Sequence, residues 1–129
     1  MARHTLLLDT GALLAWTRRD PYVRALIAEA VADESRLVVP PSVVTQAARG
    51  DDRDAPINRL FHIAYVSFVG KRLARDAGRL LARSGLSDAV DAQVVAEAER
   101  VRPCTILTSD PTDIARLAEG ISGVRIITV

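Results

Sequence analysis

The chain has 129 residues, a formal net charge of +1 and 49% hydrophobic residues, enough for one ordinary domain with a real core. The near-zero charge excludes a strongly basic nucleic-acid protein, and an apolar content of Ala, Val and Leu with only five aromatics suits helices packed on a sheet better than a base-stacking platform. A lone cysteine, Cys104, excludes an internal disulfide and a cysteine-based metal site, and no apolar run approaches the roughly 20 residues of a membrane span.

Arginine outnumbers lysine sixteen to one, Lys71 being the single lysine. Arg is the better fork for phosphate, but genome composition also produces Arg-rich, Ala-rich chains and is the simpler explanation. The first residues lead straight into a strand rather than a secretory leader, so a cytoplasmic protein is expected.

The elements alternate along the chain. An apolar run ending at Leu8 predicts a first strand over His4 to Leu8. Helical patterns follow over Ala12 to Arg18 and Pro21 to Ala32, the second opened by an Asp20 cap with Pro21 in its first turn. Arg36 to Val39 reads as strand two, stopped by Pro40-Pro41. A helix from Pro41 or Ser42 runs to Arg49 and ends at Gly50. Beyond a polar link, Asp51 to Asp54, come a helix over Ala55 to His62 and a strand over Ala64 to Phe68. Val69 to Arg83 is an amphipathic helix with Leu73, Ala77, Leu80 and Leu81 on one face. Ser87 caps the next helix, Asp88 to Val101. Cys104 to Leu107 is strand four, Asp110-Pro111 begins a short helix to Ala118, and Val124 to Thr128 is the last strand. This alternation predicts a mostly parallel sheet with helices on both faces.

Five acids fall at telling places. Asp9 closes strand one, and in open α/β sheets ligands bind just outside the carboxyl ends of strands. It could equally cap the helix that follows. Asp91 stands three residues before Val94, four before Val95 and seven before Ala98, which puts it on the apolar side of its helix. Capping does not explain a carboxylate there. Asp88 reads as a first-turn acid complementing the helix dipole. Asp110 again closes a strand, and Asp113 follows three residues on. That pair also fits a capping box, so structure and function both account for it. No Gly-x-Ser-x-Gly elbow, Gly-rich phosphate loop or paired histidine offers a rival chemistry.

Together, Leu8-Asp9-Thr10, Val39-Pro40-Pro41-Ser42 through Ala47 with Gly50, Asp91-Ala92-Gln93-Val94, and Thr108-Ser109-Asp110-Pro111-Thr112-Asp113 resemble the PIN domain. The resemblance is specifically to VapC-like toxins of bacterial toxin–antitoxin pairs, in order and over nearly the whole chain. The resemblance implies a three-layer α/β/α sandwich with a central, mostly parallel five-stranded sheet. It implies a metal-dependent endoribonuclease whose acids hold Mg²⁺ or Mn²⁺, ions suited to carboxylates and water. Asp9 and Asp91 would be the principal ligands. Asp110 and Asp113 share a further acidic position, and Thr10 and Thr108 are supporting hydroxyls. A cognate small antitoxin and a homodimer are implied as well.

One departure bears on activity. The family's second acid is a Glu four residues before a Gly, and Gln46 occupies that position ahead of Gly50. Its carbonyl can still ligate or hold a water, but one charge is missing, which Asp88 could replace. The alternative function is therefore a catalytically weakened or inactive PIN-fold module that binds protein or RNA. A smaller departure is Gly11, where relatives often carry Ser or Thr.

Overall fold

A computed structural model describes residues 3–129 of the chain. Its sheet contains β1 (Thr5–Leu8), β2 (Arg36–Val39), β3 (Tyr65–Val66), β4 (Cys104–Thr108) and β5 (Val124–Thr128), in the order β3-β2-β1-β4-β5. Every neighbouring pair is parallel, so the sheet is wholly rather than mostly parallel. The central strands are continuous apolar runs because both faces are covered: β1 and β4 are buried along their whole lengths. At the edge, β3 departs from expectation. It keeps only two of the five residues from Ala64 to Phe68, and both are exposed. A single further bond, from Ser67 N–H to the Val39 carbonyl (3.1 Å), extends its pairing.

The helices are α1 (Thr10–Thr17), α2 (Pro21–Ala32), α3 (Pro41–Ala47), α4 (Ala55–Leu60), α5 (Lys71–Ser84), α6 (Ala89–Arg100) and α7 (Pro111–Leu117). They sort into two layers: α1 packs on α2, α3 and α4, while α5, α6 and α7 pack on one another. Right-handed crossovers require this. The chain steps one way across the sheet from β1 to β3, then returns and steps the other way from β4 to β5. The result is the expected α/β/α sandwich. Its core runs from Leu7, Leu8 and Ile106 in the sheet to Leu13 and Ile57 on one side and Leu73, Val94 and Ile114 on the other. Among the described residues no helix is long and apolar enough to cross a membrane.

Several boundaries move for local reasons. Asp9 caps α1 directly, so that helix starts at Thr10 rather than Ala12. α3 stops at Ala47 rather than Arg49, because the N–H groups of Arg49 and Gly50 turn to the Asp54 carboxylate (2.8–3.1 Å). The polar link winds into a 3₁₀ turn over Asp52–Asp54. The cap of α6 is Asp88 and not Ser87: its Oδ1 accepts from the N–H groups of Val90 (2.9 Å) and Asp91 (3.0 Å). α4 and α7 each end before the expected last residue, at Leu60 and Leu117.

The strand order fixes where a ligand can sit. β1 and β4 are neighbours, and the connections leaving their carboxyl ends run to opposite faces of the sheet. That is a topological switch point, where the diverging helices open a crevice.

Candidate metal centre

Asp9 leaves β1 at this crevice, and Asp110 follows β4 two residues beyond its last residue, Thr108. Asp113 lies in the first turn of α7 and Asp91 in the first turn of α6. One carboxylate oxygen from each of Asp91, Asp110 and Asp113 falls within 4.8 Å of the other two. Among the described residues, none of these three carboxylates is in an ion pair. Uncompensated like charges at such range repel, and the effect appears on Asp91. Burial first, then the charges of Asp88, Asp110, Asp9 and Asp113, push its carboxyl up to about 7.

Asp9 is deeper, at 5% exposure. Burial raises its pKa, while the Thr108 hydroxyl and the N–H groups of Ala12, Ser109 and Gly11 pull it down. Its Oδ1 accepts from Ala12 N–H at 2.9 Å, so the helix-cap role is real. Asp9 stands beside the three-carboxylate group rather than within it, yet its charge acts on Asp91. The structure therefore gathers Asp91, Asp110 and Asp113 most tightly, with Asp9 next to them.

The capping-box account of Asp110 does not hold. Asp110 occupies the N-cap of α7, but its side chain makes no capping hydrogen bond. Its backbone N–H donates to Thr108 Oγ1 at 2.8 Å instead. Thr108 is fully buried and serves both acids, fixing the backbone of Asp110 while stabilising the charge of Asp9. Asp88 is spent mainly on capping α6 and lies at the surface. Gln46 is joined to the same neighbourhood from the other side: its Oε1 accepts a hydrogen bond from the Thr10 hydroxyl. The amide oxygen available for ligation is therefore already engaged.

Sequence reasoning did not single out Ser109 or Glu97. A Cβ placed on Gly11 would lie 1.9 Å from Ser109 Oγ and 2.6 Å from Ser109 Cβ. Gly11 is thus the residue that lets the Ser109 turn close over the start of α1 and carry Asp110 into the crevice. Gly11→Ala should cost about 2 kcal/mol, in the range of overpacked sites, and thermal melts of Gly11→Ala and of Gly11→Ala with Ser109→Gly check it. The double variant should recover most of the loss. Glu97 is more buried than Asp91 but belongs elsewhere: its nearest cation is Arg100 (3.8 Å), and it faces Cys104. Burial and then the Glu97 charge push that thiol up to about 12, which leaves it an inert core cysteine.

No protein-family model and no curated protein matches the sequence. Among solved structures, the chain is similar to one in the crystal structure of VapBC2 from Rickettsia felis bound to a DNA fragment from their promoter. The TM-score is 0.66, with 14% sequence identity over 97% of this chain and 98% of that one. A likeness at that identity shows the fold: the chain has the PIN-like architecture that its motif order led us to expect.

Proposed function

We propose that this chain is a divalent-metal-dependent endoribonuclease, hydrolysing RNA phosphodiester bonds at the carboxyl edge of β1 and β4. The observation that carries the reading is the convergence of Asp91, Asp110 and Asp113 on one point with no ion pair to any of them among the described residues. Such a group is costly unless a cation balances it. All-oxygen donors suit Mg²⁺ or Mn²⁺ rather than softer metals, so these residues fit the ion that the fold implies. Asp91, Asp110 and Asp113 would hold it, with Asp9 contributing charge from the adjoining position. When bound, such an ion lowers the pKa of a coordinated water and offsets charge on the phosphodiester.

The chain's own residues supply positioning. The buried Thr108 hydroxyl keeps Asp9 and Asp110 in fixed relation, and the α6 cap at Asp88 fixes the turn that presents Asp91. The likeness to the VapBC2 structure supports a toxin of a toxin–antitoxin pair with a small antitoxin as partner; a homodimer is proposed on the motif resemblance alone. Gln46 favours a second reading, a weakened or inactive module acting by binding, because its amide brings no charge and its carbonyl already accepts a hydrogen bond from Thr10.

Cleavage of total RNA by EDTA-stripped protein, before and after Mn²⁺ is added, tests the proposal. No cleavage in EDTA and its return with Mn²⁺ are expected, whereas equal cleavage in both would refute it. Bound Mn²⁺ without cleavage would select the second reading. Saturating Mn²⁺ should also stabilise the fold. At about 100 times Kd the gain is about 2.7 kcal/mol, or about 8 °C in Tm for a domain of this size. The gain should shrink toward pH 5, where Asp91 is protonated.

A further inference from the structure

All five strands run the same way, so the carboxyl end of β3 lies on the same edge of the sheet as the acid group. Three strand spacings separate β3 from β4, about 14 Å. The chain leaving β3 carries Phe68 at 77% exposure, with Tyr65 at 60% just before it. Exposed aromatics are scarce here, and these two stand together at one edge. The Phe68 ring is not loose: a Cβ on Gly70 would lie 3.0 Å from its Cε1, so the ring rests against the bare backbone of Gly70.

Immediately afterwards α5 presents Lys71, Arg72 and Arg75, all exposed and none in an ion pair among the described residues. Spacings of three and four bring them together on the helix surface. With Asp76 and Arg79, which pair with each other, they line one shallow groove. A second copy of this chain docked here by symmetry would set cations against cations, which disfavours association. A polyanion with stackable rings suits both features at once.

Building on the ribonuclease reading, we infer that Phe68, Lys71, Arg72 and Arg75 form a docking track for single-stranded RNA: a base stacks on the Phe68 ring and neighbouring phosphates lie along the cations of α5. The ring supplies sequence-tolerant stacking, and the cations supply salt-sensitive affinity. The track explains how a chain of nearly neutral net charge can hold RNA, because Lys71, Arg72 and Arg75 form a local cationic cluster.

Fluorescence anisotropy of a labelled oligouridine of about twelve nucleotides, titrated with the full chain in EDTA, measures the track without cleavage. Phe68→Ala should weaken binding about tenfold. Combined Lys71→Gln, Arg72→Gln and Arg75→Gln should reduce the slope of log affinity against log salt by about 2. Gly70→Ala, whose φ of −99° any residue adopts, should weaken binding severalfold by shifting the Phe68 ring, with the Phe68 residue itself retained. Affinities and slopes that stay at wild-type values would overturn the inference. So would a Phe68→Ala change in sedimentation with RNA affinity intact, which would mark a protein interface. Calorimetry with Mn²⁺ on the same preparations keeps the two readings apart: retained metal binding with an unaltered RNA profile refutes the track alone.

Discussion

Asp91→Asn is expected to make the fold more stable at pH 8 and to cripple RNA cleavage. The two effects share a cause. The Asp91 carboxyl is pushed up to about 7 from an ordinary 3.8, chiefly by burial and by its acidic neighbours. A carboxyl whose pKa is raised in the folded state binds more protons there than in the unfolded state. Stability therefore falls as pH rises from about 4 to about 7, and the full penalty persists above 7. The raise of about three pKa units corresponds to about 1.4 kcal/mol each. Since Asp91 is only half-buried, solvent screening halves this to about 2 kcal/mol, or about 6 °C in Tm. Asn keeps the size and removes the charge, so the variant should melt higher at pH 8 and match wild type near pH 4. Cleavage should drop about a thousandfold, equivalent to about 4 kcal/mol of transition-state stabilisation. Melts at pH 4, 6 and 8 beside a cleavage assay read both. A purely structural Asp91 would show the opposite pattern at pH 8, a loss of stability.

Gln46→Glu should give the largest gain of function. The carboxylate can accept the same hydrogen bond from the Thr10 hydroxyl that the amide oxygen accepts now, so the local geometry is kept and one negative charge is added beside Asp9. Mn²⁺ affinity should rise about tenfold, since a unit charge near a partly screened cation contributes a few kcal/mol at most. Cleavage should rise with it. Without metal the same charge should lower Tm at pH 8, for the reason that Asp91→Asn raises it. Calorimetry with Mn²⁺ and melts in EDTA separate the two contributions. A substitution that alters neither would place Gln46 outside the site's field.

The sequence made legible whatever depends on local chemistry. β2 and α2 fall within the expected bounds because Asp20-Pro21 and Pro40-Pro41 are strong punctuation on their own. The inward side of α6 followed from the spacing of Asp91 against Val94, Val95 and Ala98. Features set by distant contacts were not legible. β3 looked like a five-residue strand, but as an edge strand it keeps two residues and exposes them. Ser87 and Asp88 are both good caps, and only the backbone path chooses Asp88. Asp110 fitted a capping box, yet its side chain leaves the helix end alone. Gly11 meets Ser109, 98 positions away, a contact no short motif encodes. The motif order named all four acids, but their relative placement came from the fold: Asp91, Asp110 and Asp113 draw closest, and Asp9 divides itself between capping α1 and lending charge.

The account stands on these carboxylates being a cation site, and calorimetric titration of Mn²⁺ into EDTA-stripped protein at pH 8 tests that most directly. Wild type should bind, with proton release growing toward pH 6 as Asp91 becomes partly protonated, and both Asp91→Asn and Asp110→Asn should lose the signal. Binding that persists unchanged in Asp91→Asn, or no binding by wild type, would contradict it.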